Sequence, residues 1–511
     1  MTKKFNLFLT IITVALFGLQ LTAFSQAYQG YTLFAGNNSK NTYLINMNNT
    51  TYHSWTHTRN GGYSCYLMTD GTLWRSAVAS TTYFNGGGAT GVIQKIAWNG
   101  TVLWEFTYAT SSYRSHHDFS VLPNGNVLLI AWESKTAAQC IAAGLNHSAT
   151  LWPDHIVEVQ PVGTNGGNIV WKWHFWDHLI QDWDSTKANY GVVANHPELL
   201  DINVGSTSGD WMHCNGISYD TLTDQIVISS HNLNEVFVID HSTTIQEAAG
   251  HTGGRWGKGG DFLYRWGKPA NYRAPGTTVF NVVHCSVWIP YDCPGAGNIM
   301  AFNNRSGTNS SIVMEIVPPR DSLGNFIHVP GTAYGPASAT WTYSASGFYS
   351  QHLGGNQRLP NGNTVICEST VGYMFEVNPA GVTQWYYNRG GEVVRALRYP
   401  TNYITSIENN LGIPATIPTT TELTSAYPNP FNPVINIKYS LAKQSNVTVK
   451  IFNILGQEIK TLVNENSQAA GNYDIQWNGI TESGLYAPSG VYFCRLQTPD
   501  ITQTRKIVFA K

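Results

Sequence analysis

A hairpin pattern recurs along most of the chain and constrains its fold more than any other feature. In each copy an apolar strand ends in a polar turn, and a second strand then carries tryptophan. The clear copies are TYLINMNNTTYHSW (42–55), VIQKIAWNGTVLWEF (92–106) and MFEVNPAGVTQWYYN (374–388), and the looser copies span 156–173, 236–266 and 312–343. The pattern therefore occurs six times between residues 40 and 390.

A second hairpin precedes most copies of the first. Two hairpins per unit predict a four-stranded antiparallel sheet, and sheets that recur every ~40–50 residues are typical of a β-propeller. We therefore expect an all-β chain with a six-bladed β-propeller over residues 26–405, closed by GYTLF (30–34) and VVRALRYP (393–400). A large β-sandwich and two propellers are the alternatives. The five copies of the second hairpin are CYLMTDGTLWRS (65–76), DFSVLPNGNVLLIAWE (118–133), ISYDTLTDQIVISS (217–230), SVWIPYDCPGAGNIMAF (286–302) and NQRLPNGNTVICES (356–369).

The composition fits such a fold and excludes several classes of protein. The chain has 48 glycines and 17 tryptophans, and only 12% of its 511 residues are charged. Its net charge of −2 excludes a nucleic-acid partner bound by phosphate neutralisation and disfavours a polybasic membrane binder. Low charge together with 42% hydrophobic residues also excludes a charged disordered chain.

The N-terminus has the layout of a secretory signal peptide. Lys3 and Lys4 precede an apolar run, and a small-residue site, Ala23-Phe24-Ser25, follows it. We expect residues 1–25 to be a signal peptide, with a membrane anchor as the alternative. No later stretch reaches the ~20 apolar residues that a spanning helix needs. The mature chain is therefore expected to lack a transmembrane segment and to be secreted or attached to the cell surface.

The cysteines give a weaker signal. An exported chain can form disulfides, but the seven cysteines are an odd number and no CxxC motif occurs. We expect mostly buried thiols with one bridge, and no zinc site built from cysteine.

The last fifth of the chain changes character. Residues 406–422 are rich in proline and threonine and are predicted to be a linker. After it, residues 423–511 carry short alternating strands separated by turn residues, which predicts a β-sandwich of Ig-like size. A carbohydrate-binding or spacer module is an alternative role for such a sandwich.

Histidines stand at a recurring position in the main domain. His116 and His117, His213, His284 and His352 each come just before a copy of the second hairpin. The inner strands of a propeller surround a central channel, so we expect these imidazoles to converge there. Clustered imidazoles can bind a metal, or one can act as a nucleophile while the others and an arginine hold an anionic group.

The C-terminal segments resemble a known export signal. YPNPFNP, IFNILGQEI, SGVYFCRL and the final TRKIVFAK are similar, in this order, to the type A C-terminal sorting domain of the type IX secretion system. The resemblance implies a bacterium of the Bacteroidetes-like lineages and an outer-membrane export machinery as partner. It implies no catalysis in this domain.

The main domain resembles the arylsulfotransferase (aryl-sulfate sulfotransferase) family. The similar segments are GDWMHCNGISYD, DQIVISSHNLNEVFVID, VVHCSVWIP, GNIMAFNNR, HLIQDWDSTKANYG and GGNQRLPNGNTVICE, spread over roughly residues 28–405. The resemblance implies a six-bladed propeller that moves a sulfuryl group from a phenolic sulfate ester to a phenol. It implies a sulfohistidine intermediate and neither a nucleotide sulfate donor nor another cofactor.

The resemblance also assigns roles to individual residues. It implies that His352 is the sulfated histidine and that His213 and His284 bind the sulfuryl group. Arg305 is implied to neutralise the sulfate, and Asn215 and His117 are expected at the same substrate site. The chain departs from the family pattern at three positions, because Cys285 and Ser286 stand where an amide or acid is usual and His231 where arginine is usual.

Two other functions compete with this interpretation. One is a secreted propeller without catalytic activity that binds glycans or proteins at the channel mouth. The other is a metal-dependent hydrolase or lyase that uses the same histidines. Covalent labelling by an aryl sulfate would distinguish a transferase from the binding protein, which takes up no label. Metal analysis of the purified protein would identify the metal-dependent enzyme.

Overall fold

The fold is described from a computed structural model, which covers residues 26–410, 418 and 420–510. The predicted signal peptide and part of the predicted linker, residues 411–417 and 419, lie outside the described residues. Strands make up 48% of the structure and helices 6%, so the predicted all-β class is confirmed.

The strands of the main domain follow the two hairpin patterns of the sequence. In the first half they are β1 (Gly30–Gly36), β2 (Asn41–Ile45), β3 (Thr51–Thr56), β4 (Gly61–Leu67), β5 (Leu73–Val78), β6 (Gly91–Ile96), β7 (Val102–Thr107), β8 (Tyr113–Val121), β9 (Val127–Glu133), β10 (Leu151–Trp152), β11 (Asp154–Val162), β12 (Gly166–His174), β13 (Leu179–Ile180), β14 (Leu200–Asp201) and β15 (Gly209–Asp210). In the second half they are β16 (Cys214–Asp220), β17 (Gln225–Ser230), β18 (Glu235–Asp240), β19 (Tyr264–Trp266), β20 (Val283–Trp288), β21 (Ile299–Gly307), β22 (Ser310–Ile316), β23 (Trp341–Tyr343), β24 (Gly355–Arg358), β25 (Thr364–Glu368), β26 (Tyr373–Val377), β27 (Thr383–Asn388) and β28 (Val393–Pro400).

These strands pair into four-stranded antiparallel sheets. The strand orders are β28-β1-β2-β3, β4-β5-β6-β7, β8-β9-β11-β12, β16-β17-β18-β19, β20-β21-β22-β23 and β24-β25-β26-β27. Every tryptophan-bearing hairpin predicted from the sequence forms the third and fourth strands of one sheet, and every second-pattern hairpin forms the first and second.

The turns inside the sheets explain why the pattern is regular. In the turn between β8 and β9, Asn124 Oδ1 accepts a hydrogen bond from the Asn126 amide at 2.9 Å, and Gly125 has φ +84°. An asparagine that bonds its own backbone, followed by glycine in the left-handed region, reverses the chain without strain. The β26–β27 turn repeats the arrangement, with Asn378 as the acceptor and Gly381 at φ +81°.

The first strands of the sheets contact one another in sequence. Strand β4 contacts β8, β8 contacts β16, β16 contacts β20, β20 contacts β24, β24 contacts β28, and β28 contacts β4. The two ends of the domain are joined within one sheet. Strand β28, the last strand of the domain, pairs with β1, the first strand, so that Gly30 lies opposite Pro400. Tryptophans and aliphatic residues fill the space between neighbouring sheets, as where Trp74 and Trp104 share a buried cluster with Phe119.

The short elements lie in the connections. Strands β10 and β15 pair in parallel, as do β13 and β14. The helices are α1 (Ala137–Ala142), α2 (Ile245–Ala248) and α3 (Thr401–Asn410), with 3-10 turns at Phe175–Asp177, Val193–Asn195 and Pro269–Tyr272. None of the described helices has the length and apolar character needed to cross a bilayer.

Helix α3 takes in the first five residues of the predicted linker. Its Ile404 and Ile407 are buried in one cluster with Leu33 and Leu44 of the first sheet. Isoleucines at i and i+3 lie on the same face of a helix, so the segment folds against the main domain instead of remaining extended.

The C-terminal segment forms two further sheets around one core. Their strands are β29 (Glu422–Tyr427), β30 (Ile435–Leu441), β31 (Ser445–Asn453), β32 (Glu458–Gln468), β33 (Gly471–Trp477), β34 (Gly490–Gln497) and β35 (Thr502–Phe509). The orders are β29-β30-β33 and β32-β31-β34-β35, and buried residues including Tyr439, Trp477 and Phe509 form a shared core.

The prediction about cysteines is wrong in one respect. All seven cysteines lie in the described ranges, and all are free thiols; six are buried and Cys65 is half-buried. The buried thiols pack as small apolar groups within hydrophobic clusters, and the predicted bridge does not form.

Candidate active site

The backbone is distorted at the same place in several first strands. Ladder pairing is irregular between Ser115 and Phe119 of β8, between Cys214 and Gly216 of β16, and between His284 and Val287 of β20. Such bulges redirect side chains and are frequent next to active sites.

Left-handed residues stand at or beside these bulges, and one more, Leu353, comes shortly before β24. His117 has φ 49°, His213 φ 53°, Cys285 φ 51° and Leu353 φ 58°. Side chains other than glycine adopt this region at a cost, and such strain is concentrated at functional sites. Relative to the left-handed residue, His284 and His352 lie one position earlier than His117 and His213. The predicted histidines therefore occupy two adjacent positions of the repeat and not a single one.

Five imidazoles from three neighbouring sheets form a continuous line. His116 Nδ1 lies 2.9 Å from His117 Nδ1. From His117 the ring centroids are separated by 4.6 Å to His213, then by 4.8 Å to His231 and by 5.6 Å to His284. Residues that are up to 168 positions apart in the chain, from His116 to His284, thus meet in one place.

Burial keeps most of these imidazoles neutral. Desolvation and the neighbouring histidines lower the pKa of His117 and of His284 well below the ordinary value. The same causes lower the pKa of His231 to about 4 and that of His116 to about 3. At neutral pH these rings therefore carry lone pairs and N–H groups but no charge.

Two carboxylates contact imidazoles of this line and fix their orientation. Asp210 Oδ2 lies 2.5 Å from His213 Nδ1, and its Oδ1 accepts from the Trp132 indole at 2.8 Å. Asp154 Oδ1 lies 2.7 Å from His116 Nε2, while its Oδ2 accepts from the Cys214 amide. A carboxylate on one ring nitrogen fixes the tautomer and the direction of the other nitrogen.

A buried arginine lies beside the histidines. Arg395 of β28 pairs with Asp118 at 2.7 Å and donates to the Tyr66 hydroxyl at 2.9 Å. Asp118 also accepts from the Ile217 amide at 3.1 Å, so this carboxylate joins strands β4, β8, β16 and β28. Burial alone would lower the pKa of Arg395, but the Asp118 carboxylate outweighs that effect and raises the pKa well above its ordinary value, so the guanidinium stays charged.

A small cavity connects these groups. Its volume is about 10 Å³, which is roughly the space of one water molecule, and it opens toward solvent. Its wall includes the polar side chains of Tyr63, His117, Asn215, His284 and Arg395, together with Leu353 and Gly354. The cavity therefore offers imidazole, amide and guanidinium groups to a compact anion.

A triglycine segment, residues 86–88, covers part of the histidine line. A Cβ atom on Gly88 would lie 2.1 Å from the His117 ring, and one on Gly87 would lie 3.2 Å from His213 Cε1. The Gly88 carbonyl accepts from the His117 amide at 2.8 Å. Only glycine permits this close approach of the backbone to the imidazoles.

The six residues predicted from the sequence differ in how directly they join this cavity. His117, His284 and Asn215 line it. His213 lies against His117, and Arg305 lowers the pKa of His231, which places its charge beside the line. Asn215 is anchored, since its amide donates to the Val283 carbonyl at 2.8 Å.

His352 lies at the rim. Its side chain is 45% exposed, and its Nε2 lies 3.0 Å from Glu392 Oε1. The next two residues, Leu353 and Gly354, line the cavity, and the charge of His352 contributes to the lowered pKa of His284. His352 therefore borders the cavity but makes no ring contact with the buried imidazoles among the described pairs.

Sequence reasoning missed several members of the site. Asp154, Asp210 and Arg395 were not candidates, and His231 entered only as a departure from the family pattern. Asp210 stands three residues before His213, a spacing that could have been noticed. Arg395 could have been found from its position on the predicted closing strand, which must border the channel.

The pocket histidines do not form a metal cage. Within the described part of the chain, two groups of three ligand residues are close enough to hold an ion, and neither includes a pocket histidine. The arrangement suits recognition of an oxyanion and attack by an imidazole better than metal chemistry.

Solved structures similar to this chain are distant. A protein of unknown function from Bacteroides caccae is 12% identical, covering 72% of this chain and 98% of its own, with a TM-score of 0.38. The β-propeller domain of Cps50 (Swd1) from Myceliophteria thermophila is 8% identical, covering 80% and 92%, with a TM-score of 0.34. Virginiamycin B lyase from Staphylococcus aureus is 10% identical, covering 71% and 84%, with a TM-score of 0.33. Scores this low carry no functional assignment, and no curated protein matches significantly.

Family models give a clearer result. Residues 46–409 match the model described as arylsulfotransferase (ASST). Residues 425–510 match the secretion system C-terminal sorting domain. The first match spans most of the chain and contains the whole histidine line. The protein therefore belongs to the arylsulfotransferase (ASST) family and ends in a secretion system C-terminal sorting domain.

Proposed function

We propose that this protein is an exported aryl-sulfate sulfotransferase that works through a sulfohistidine. The observation that carries the proposal is the convergence of neutral imidazoles and a guanidinium on one small cavity in a chain of this family. A sulfuryl group is compact and anionic, and the imidazole, amide and guanidinium groups of the wall are the kinds of group that recognise its oxygens. The aryl ring of a phenolic ester would remain at the opening.

The chemistry is a double displacement. Neutral His352 attacks the sulfur of the phenolic sulfate, an N–S bond forms, the S–O bond to the aryl group breaks, and the phenolate leaves and takes a proton from water. The oxygen of a second phenol then attacks sulfur, the N–S bond breaks, and the phenolic proton passes to solvent. Glu392 accepts from Nε2–H of His352, which leaves the Nδ1 lone pair for the attack.

The remaining residues hold the transferred group. His213 and His284 hold the sulfuryl oxygens as imidazolium groups that take up a proton when the anion binds, because the N–H of each neutral ring is already donated, to Asp210 and to Asn304 respectively. Arg305 neutralises the remaining charge of the sulfuryl oxygens. Asn215 and His117 complete the wall of the site. No cofactor takes part in this scheme.

The wider architecture belongs to the same proposal. The six four-stranded sheets form a six-bladed β-propeller over residues 26–405, and residues 423–511 form an Ig-like sandwich behind the linker at 406–422. Residues 1–25 act as a signal peptide in a Bacteroidetes-like bacterium. The type IX machinery then exports the chain, which is released or remains attached to the surface.

Turnover of a chromogenic aryl sulfate with phenol as acceptor tests the proposal. We expect H352N to lose transfer by about a thousandfold or more, because removal of a nucleophile leaves only binding and electrostatic effects. H196N is the matched control, since His196 is exposed and lies outside the cavity. Normal turnover in H352N contradicts the role of His352. A folded wild-type chain that neither turns over nor becomes labelled would instead be a binding protein for glycans or proteins.

A further inference from the structure

A second group of histidines lies away from the cavity, on the third sheet. Glu133 ends β9, His155 is near the start of β11, and His174 ends β12. His155 pairs with Ala131 on one side and with His174 on the other. Alternate residues of a strand point to the same face, so Glu133 shares a face with Ala131 and therefore with both histidines. We name these three residues the Glu–His–His cluster.

The three side chains are close enough to share one ion. Glu133 Oε1 lies 3.0 Å from His174 Nδ1, and one nitrogen or oxygen atom of each residue lies within 4.8 Å of the others. Ligand atoms bound tetrahedrally at 2.0–2.2 Å are separated by roughly 3.3 Å. The rings of His155 and His174 lie nearly parallel, with centroids 5.0 Å apart.

One nitrogen in the cluster has no partner. His155 is 2% exposed, and its Nδ1 makes no hydrogen bond although it is fully buried. Its other nitrogen, Nε2, lies 3.0 Å from the Tyr108 hydroxyl. Buried polar atoms without a partner are rare and costly in folded proteins. Histidines that bind metals show this arrangement, with one nitrogen held by a neighbouring polar group and the other facing the ion.

The donor set indicates which ion would bind. Two imidazoles and one carboxylate suit zinc and the neighbouring transition metals, whereas calcium and magnesium prefer oxygen ligands. Lys135 Nζ lies 2.9 Å from Glu133 Oε2, so that oxygen is occupied and Glu133 can offer only Oε1.

We propose that the Glu–His–His cluster binds one divalent transition-metal ion of the zinc class, with water in the open position. The ion stabilises the sheet β8-β9-β11-β12 and helps to orient the residues behind the cavity. Asp154 directly precedes His155 and orients His116 on the opposite face of β11. A metal that fixes the start of β11 therefore also fixes the carboxylate behind the histidine line.

The other group of three in the described residues provides a control. His178 and His251 both approach Asp261 Oδ1, each through Nδ1 at 2.8 Å. His178 Nε2 lies 2.9 Å from the Ala248 carbonyl, so both of its nitrogens have partners. This group lacks the orphaned nitrogen that distinguishes the Glu–His–His cluster.

Metal binding by the untagged full chain tests the proposal. After treatment with a chelator, the protein is titrated with Zn²⁺ in a calorimeter and with Co²⁺ as a visible-spectrum probe. We expect the wild type and H251A to bind one ion with the same affinity. H174A and E133Q are expected to bind it at least ~100-fold more weakly, because each loses a ligand. Circular dichroism and the thermal midpoint without metal show whether each variant is folded.

The outcomes are distinct. Loss of the ion in H174A and E133Q but not in H251A supports the proposal. No binding by the wild type, or binding that survives in folded H174A and E133Q, overturns it, and loss only in H251A assigns the ion to the other group. Should H174A fail to fold, E133Q alone decides, since glutamine keeps the shape of the side chain.

Discussion

Histidine side chains of this protein take opposite charge states according to the groups that face them. In the cavity, His117 and His284 face other imidazoles and are buried, so their pKa values are lowered. His241 is half-buried, but its two nitrogens lie 2.7 Å from Asp224 and 3.0 Å from Glu158. Burial alone would lower its pKa, and the two carboxylates reverse that effect and raise it to about 9.

The charge of His241 predicts a pH dependence of stability. An unfolded histidine titrates near 6.5, so the raised pKa of the folded state contributes stability that is fully present below pH ~6.5 and is lost as the pH rises through about 9. We expect H241Q to lower the urea midpoint markedly at pH 6 and little at pH 9.5. H196Q, with an exposed imidazole, provides the baseline. An equal effect of H241Q at both pH values would show that His241 is neutral.

Strand elements set the directions of the cavity side chains. Left-handed residues follow or coincide with the histidines in four first strands, and the triglycine segment lies against two of the rings. Sequence reasoning found the hairpins because turn residues and tryptophans have local signals. It could not separate the two adjacent histidine positions, because a bulge leaves no local signal in the residue types of His117 or Cys285.

Gly88 and Gly125 form a matched pair that tests the triglycine segment. Both have positive φ, +80° and +84°, but a Cβ on Gly125 meets no atom within 4 Å while one on Gly88 enters the His117 ring. Alanine at either position costs about 1–2 kcal/mol of backbone strain. We expect G88A, but not G125A, to lose sulfuryl transfer as well, by about a hundredfold, because the new Cβ displaces His117. Equal activity of folded G88A and G125A would show that the segment has no part in the site.

At the scale of the whole molecule, the cavity depends on closure of the circuit of first strands. Arg395 reaches Asp118 only because β28 returns to pair with β1, which begins the described domain. Composition and repeats predicted that histidines far apart in the chain would meet. They could not reveal Asp154, since this carboxylate acts through contacts with His116 and with the Cys214 amide, which have no fixed spacing from it in sequence.

The most direct test of the account is covalent capture of the transferred group. The wild-type chain is mixed with a radiolabelled aryl sulfate without acceptor, quenched at alkaline pH, digested and mapped. We predict a burst of one phenol per chain and one sulfuryl group on His352, with no label in H352N. Phenol release without any label, or a label on another residue in the wild type, would contradict the account.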